Sequence, residues 1–121
     1  MTDDLKQEFD GARIKHLHFK SKLRSFLYGS GTAEAPIRDP RQCSFGQWLT
    51  TYVLTRYGQL PVSRELDAAH TQIHLEANRL MDMAQRGQQD EAIAGMAEIN
   101  RLADLITQLL RTLEDKIRTG R

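Results

Sequence analysis

Cysteine, proline and long apolar runs are scarce in this chain, and each scarcity removes a class of protein. The single cysteine, Cys43, cannot close an intramolecular disulfide, which fits a reducing cytoplasm. No apolar run approaches the roughly 18 residues that suggest a membrane span. The opening Met1-Thr-Asp-Asp-Leu-Lys is acidic and polar, unlike a secretory signal. Charge of one sign is also missing: 17 Lys and Arg stand against 16 Asp and Glu, for a net charge of +1. Neither sign gathers in one segment, so a nucleic-acid partner is not expected. A length of 121 residues suffices for one hydrophobic core without disulfide staples. The expectation is one small soluble cytoplasmic domain over residues 1–121.

Alternating apolar and polar runs are absent as well, so no strand is expected and the fold class is all-α. What is present is helical periodicity. Residues 2–28 carry Leu5, Phe9, Ala12, His16, Phe19, Leu23 and Phe26, spaced by four and three. That spacing predicts a core-facing stripe on one helix, with His16 in one of its slots. Gly29 to Pro36 reads as a loop. Asp39-Pro40 then reads as a helix start, Asp39 capping and Pro40 in the first position. This shorter second helix carries Phe45, Trp48, Leu49 and Tyr52 and ends near Gly58. Pro61 and Ser63 open a third helix, Ser63 as its cap, with the stripe Leu66, His70, Ile73, Ala77, Leu80 and Ala84. Arg86-Gly87-Gln88 supplies a turn. The last helix runs from about Asp90 to Ile117 with Ile93, Met96, Ile99, Leu102, Ile106, Leu109, Leu113 and Ile117 inward. Short connections between four such helices predict an up-and-down antiparallel four-helix bundle.

The chain has only four histidines, and three of them fall where chemistry is possible. His70 and His74, four apart on one helix, lie one above the other on the same face. His16 and His70 occupy slots otherwise filled by apolar residues. His18, two residues from His16 and between Lys15 and Lys22, points the other way and is expected in solvent. Cys43 falls in the first turn of the second helix, where backbone N–H groups and the helix dipole favour a thiolate. Three imidazoles and a thiolate make a complete tetrahedral shell for zinc. Each piece alone is weaker: a lone histidine on an apolar stripe is usually a core residue, and a lone buried cysteine usually a small hydrophobe. Three buried imidazoles, however, need partners for six ring nitrogens, and a shared cation removes that cost. Gly46, between Phe45 and Trp48, costs helix stability and implies a close approach by a neighbour. Phe45 and Trp48 would wall one side of the site.

Other metal chemistries fit less well. A zinc protease needs His-Glu-x-x-His, and Thr71 stands at the glutamate position. A di-iron bundle needs several carboxylates with Glu-x-x-His on two helices, and only Asp67 precedes a histidine by three.

The pattern His16-Leu-His-Phe19, Cys43-Ser-Phe45-Gly46-Gln-Trp48 and His70-Thr-Gln-Ile-His74 resembles the chemoreceptor zinc-binding, or CZB, domain. The spacers are 23 residues from Phe19 to Cys43 and 21 from Trp48 to His70. The resemblance implies a helical bundle holding one zinc through His16, Cys43, His70 and His74. It implies a bacterial cytoplasmic protein, often a homodimer, that regulates a chemoreceptor or a diguanylate cyclase in response to zinc or oxidants. Lys15 departs from the pattern, since many members carry an aspartate just before the first histidine. No output domain accompanies the motif. The chain is then expected to act in trans or to be a module of a longer protein, and the Met1-Thr-Asp-Asp start favours a stand-alone or N-terminal module.

A closed four-ligand shell leaves no position for an activated water, so no enzyme is expected. Cys43, on a short helix beside a glycine-rich loop, is the expected moving part, with residues 30–58 ordered by the metal. The competing expectation is a structural zinc in a dimerisation module, with Leu105 and Leu110 of the last helix either serving a partner or broadening the core face. A zinc hydrolase would require His16 to stand outside the shell and a carboxylate base nearby.

Overall fold

The structure, a computed structural model, describes residues 2–120. Met1 and Arg121, and with Met1 the reading of the chain start, lie outside the described residues. All described elements are helical. The first, α1, spans Thr2–Leu27 and buries Leu5, Phe9, Ala12, His16, Phe19, Leu23 and Leu27. This is the expected stripe with one change: Leu27 is fully covered where Phe26 is half-buried.

The segment after α1 is not all loop. Ala35–Arg38 forms a single turn, α2, with Pro36 at its start and Ile37 fully buried. Asp39 does cap a helical turn, accepting from the Arg41 N–H at 2.9 Å, but that turn is a 3₁₀ piece of three residues, Pro40–Gln42. The chain then extends at Cys43 (φ −81°, ψ 130°) and restarts as α3, Ser44–Trp48. Cys43 is thus the residue that caps α3 rather than a member of a helix's first turn. The extended residue redirects the chain, so that Phe45, Trp48 and Leu49 turn inward.

Beyond Trp48 the helix widens into a π segment, Leu49–Leu54, before a last turn, α4, Thr55–Tyr57. Leu49 and Val53, four apart on this segment, are both buried. Thr55 Oγ1 donates to the Thr50 carbonyl at 3.1 Å, giving that carbonyl a partner within the looser ladder.

The third long helix, α5, spans Pro61–Gln85. Leu60, not Ser63, holds the capping position, and Pro61 supplies the preset φ of a first helical residue. Ser63 lies inside α5 with its Oγ buried and without a hydrogen-bond partner. The expected last helix is interrupted at Gly95 into α6, Gln89–Ala94, and α7, Met96–Thr119. A Cβ at Gly95 would fall 2.3 Å from Leu80 Cδ2, so the break between α6 and α7 lies close against α5. On α7, Leu110 is fully buried while Leu109 is half-buried. Leu110 therefore broadens the core face and offers nothing to a partner.

Cross-helix contacts set the directions. Phe45 lies against His16 and Trp48 reaches Glu8, so α3 descends along α1. Gln89 donates to the Leu27 carbonyl while Glu114 pairs with Arg13 at 2.8 Å, so α7 also descends along α1. Phe19 packs on His74, and Phe26 shares a surface cleft with Ala84, so α5 runs parallel to α1. This is the up-down-up-down order of a four-helix bundle, with the α3–α4 stretch as its short second member. Because that member begins only at Ser44, residues 28–43 cover the bundle beside the upper half of α1. The covering strap gives way to α3 at the level of His16 and His74.

Candidate metal centre

At that junction Cys43, His70 and His74 present one ligand atom each, all within 4.8 Å of one another, and all three residues are buried. The two histidines come from one face of α5, as their spacing requires. Cys43 comes from the opposite wall, aimed inward by the extended backbone between the 3₁₀ turn and α3. His70 Nε2 and His74 Nε2 stand 3.0 Å apart. His74 Nδ1 donates to the Ile37 carbonyl at 2.6 Å. That carbonyl can only accept, so the ring proton sits on Nδ1 and His74 Nε2 keeps its lone pair for the site.

His16 lies beside this trio rather than inside its 4.8 Å circle. It is only 4% exposed, its ring is 5.5 Å from Phe45, and its Nε2 is buried with no hydrogen-bond partner. Phe45 also packs on His70 at 5.3 Å, so one aromatic ring separates the site from the lower core. Trp48 completes that wall. Its indole N–H donates to Glu8 at 2.8 Å and its ring meets Phe9 edge-on. His18 is exposed, as its register predicts.

The close approach expected at Gly46 is present. A Cβ there would lie 2.1 Å from the Pro40 carbonyl oxygen and 2.8 Å from His70 Cε1. Glycine is what lets α3 lean on both the strap and a candidate ligand.

Two participants left no mark in the sequence. Ile37 acts through its backbone carbonyl, which has no side-chain signature. Asn78, one turn beyond His74, donates to the carbonyls of both Arg38 and His74 at 3.0 Å. Its spacing on α5 was visible, but its partner strap was not.

The donor set fits zinc. Imidazole nitrogen and thiolate sulfur bind it at about 2.0–2.3 Å, which puts tetrahedral ligand atoms roughly 3.3–3.8 Å apart. The trio, now within 4.8 Å, closes to that spacing with shifts of about 1 Å. Two imidazole nitrogens converging at 3.0 Å are polar groups that one cation would satisfy together, and His16 Nε2 stands outside that pair without a hydrogen-bond partner.

Burial makes the histidines poor bases. Burial, then the charge of Lys20, lowers His16 to about 4, with the Ala103 carbonyl acting the other way. Burial, then His74 and His16, lowers His70 to about 3. His74 is lowered by burial, against the pull of the Ile37 carbonyl and Asp39. In the unfolded chain these imidazoles titrate near 6.5. The folded state therefore binds fewer protons below that value, so stability is full above about pH 6.5 and is lost as pH falls toward 4 and 3. The metal-stripped protein should lose a few kcal/mol between pH 7 and 4, read as a steep fall in melting temperature. A flat melting profile across that range would show that the histidines are hydrated rather than buried. Zinc should leave over the same acid range as protons compete for the ligands.

No curated protein and no solved structure matches the chain. No described helix is long and apolar enough to cross a membrane. The family model of the chemoreceptor zinc-binding domain matches residues 16–81, from the first candidate ligand to beyond the last. That stretch is more than half of the chain and contains every residue of the buried cluster, so the protein belongs to the chemoreceptor zinc-binding domain family.

Proposed function

We propose that this protein is a zinc-dependent sensory module in which His16, Cys43, His70 and His74 complete one four-coordinate shell. The observation that carries the reading is the buried Cys43–His70–His74 cluster with the orphaned His16 Nε2 beside it. The module does no catalysis of its own. Four protein ligands leave no open position, and Thr71, at the place of a protease glutamate, is exposed with its hydroxyl on the Asp67 carbonyl.

The signal acts at Cys43. A crevice of about 10 Å³, at most the room of one water, reaches Cys43 between Lys15, Lys22 and Pro36. Oxidation of a ligand thiolate weakens its bond to zinc, and scarcity of zinc empties the site by mass action. Either event frees the segment that carries Cys43, while His70 and His74 stay on α5. The output is regulation of a bacterial signalling partner in the cytoplasm, a chemoreceptor or a diguanylate cyclase, in the same chain or in trans. The module works as a homodimer.

Hydrogen exchange tests the switch. Chelation is expected to deprotect amides within residues 30–58 and leave the middle of α5 and α7 unchanged. Equal exchange with and without chelator would rule the switch out.

A second reading has its own observation. Ile14 and Leu17 on α1 and Leu105 on α7 are exposed at 54%, 60% and 37%, which suits an interaction module whose zinc is purely structural. Such a site resists chelation and loses the fold with its metal. A sensor exchanges its metal and stays folded, and a chelator titration followed by circular dichroism separates the two.

A further inference from the structure

The strap between α1 and α3 meets the metal centre twice. It ends in Cys43, and its Ile37 carbonyl holds the Nδ1 proton of His74 at 2.6 Å. Between those points it is stiff: Ile37 is fully buried, Asp39 caps the following turn, and Pro40 fixes its own φ. Displacing this stretch disturbs a ligand and the acceptor of another ligand together.

Several side chains tie the strap to α5, and Arg38 makes most of these contacts; Gln85 adds a bond to Glu34 Oε2 at 3.3 Å. Arg38 donates to Asn78 Oδ1 at 2.9 Å, to Gln85 Oε1 at 3.1 Å and to Glu34 Oε1 at 2.8 Å, and its Nη1 lies 3.0 Å from Asp82 Oδ1. Asn78 returns the contact by donating to the Arg38 carbonyl at 3.0 Å. Each ion pair is partly exposed and weak alone. Together they use the planar guanidinium fork at several acceptors, which a point charge could not do. Upstream, residues 28–33 turn at Gly29 and Gly31, both at positive φ, and Ser30 and Thr32 bond to Ser25 of α1 rather than to α5. Downstream, α3 is held separately by Trp48 on Glu8 and by Phe45 on the rings of His16 and His70.

We propose that Arg38 and Asn78 are positioning residues that latch residues 34–43 to α5, hold the Ile37 carbonyl on His74, and thereby set how tightly the centre keeps its zinc. This rests on the zinc-site reading above and sharpens it: the part that opens is the strap, and α3 stays docked.

The test uses the full chain as wild type, Arg38→Ala, Asn78→Ala and Arg79→Ala. Among the described residues Arg79 pairs with Glu76 and Met83 on α5 and with no residue of the strap, so it is the control. Zinc stoichiometry and Kd are read by competition with a chromophoric chelator, and Co2+ spectra report the ligand set. Outer partners of metal ligands typically govern affinity by 10–100-fold. Arg38→Ala and Asn78→Ala are each expected to bind one zinc with the wild-type Co2+ spectrum but about tenfold more weakly. Exchange should rise over residues 34–43 and stay unchanged over 44–57, with Arg79→Ala matching wild type. One zinc per chain with unchanged Kd in both latch variants overturns the latch alone, even if their melting temperatures fall. Wild-type protein that binds no zinc overturns the site itself.

Discussion

Cys43→Ala is expected to bind zinc about a hundredfold more weakly than wild type while the bundle stays folded. Four-ligand zinc sites in small domains bind with roughly 10–16 kcal/mol, so one ligand's share is about 3 kcal/mol, or about two decades in Kd. The fold should tolerate the change. Cys43 is buried among apolar neighbours, and alanine keeps a small apolar group there without leaving a polar atom unpaired. The metal-free variant should therefore melt within about 1–2 kcal/mol of metal-free wild type. Metal analysis of the two proteins, with chelator competition, reads the difference. One zinc held as tightly by the variant as by wild type would remove Cys43 from the shell.

Gly46→Ala is expected to destabilise the protein by about 2–3 kcal/mol, or a melting temperature lower by roughly 10 °C. Two effects oppose each other. Alanine favours a helix over glycine by about 1 kcal/mol, which acts to stabilise α3. Against it, the new Cβ would sit 2.1 Å from the Pro40 carbonyl oxygen and 2.8 Å from the His70 ring. Neither obstacle is the loose end of a flexible side chain, so α3 must move away from the strap. The overlap wins. Because Pro40 and His70 flank the metal centre, zinc affinity should fall together with stability. A variant as stable as wild type, with unchanged zinc affinity, would mean that α3 does not pack against the strap in this way.

Reading this chain without coordinates goes furthest where the signal is periodic. Leu5, Phe9, Ala12, His16, Phe19 and Leu23 are spaced by the turn of a helix, and all are buried. Leu66, His70, Ile73, Ala77 and Leu80 behave the same way on α5. His74 joins His70 because four residues on a helix bring a side chain back to nearly the same face. His18 stays exposed for the same geometric reason. Gly46 stood out because a glycine inside a short helix needs a reason, although the obstacle itself was not visible.

The readings that failed concern places where the chain departs from a regular helix. Asp39-Pro40 marks a start in any helical turn, and nothing local says that the turn ends after three residues. Ser63 has the chemistry of a cap, yet Pro61 already holds the first helical position and Leu60 precedes it. Leu110 is a different case: of the two roles open to it, it takes the core one, because α7 faces both α1 and α5 and buries a wide face.

By itself, then, the sequence determined the buried stripes of α1 and α5, the up-and-down order of the bundle, the inward faces of His16, His70 and His74, and a soft donor in Cys43 at the start of a short helix. All of that follows from helical spacing, which is local. Only the tertiary structure decided that Cys43 reaches the histidine pair from the opposite wall, that His16 sits just outside their circle, and that the Ile37 carbonyl selects the proton position of His74. The last of these depends on an irregular strap whose Ile37 carbonyl, with Arg38 beside it, meets a helix some 40 residues away. Backbone carbonyls and long-range contacts of that kind leave no periodic trace in a chain.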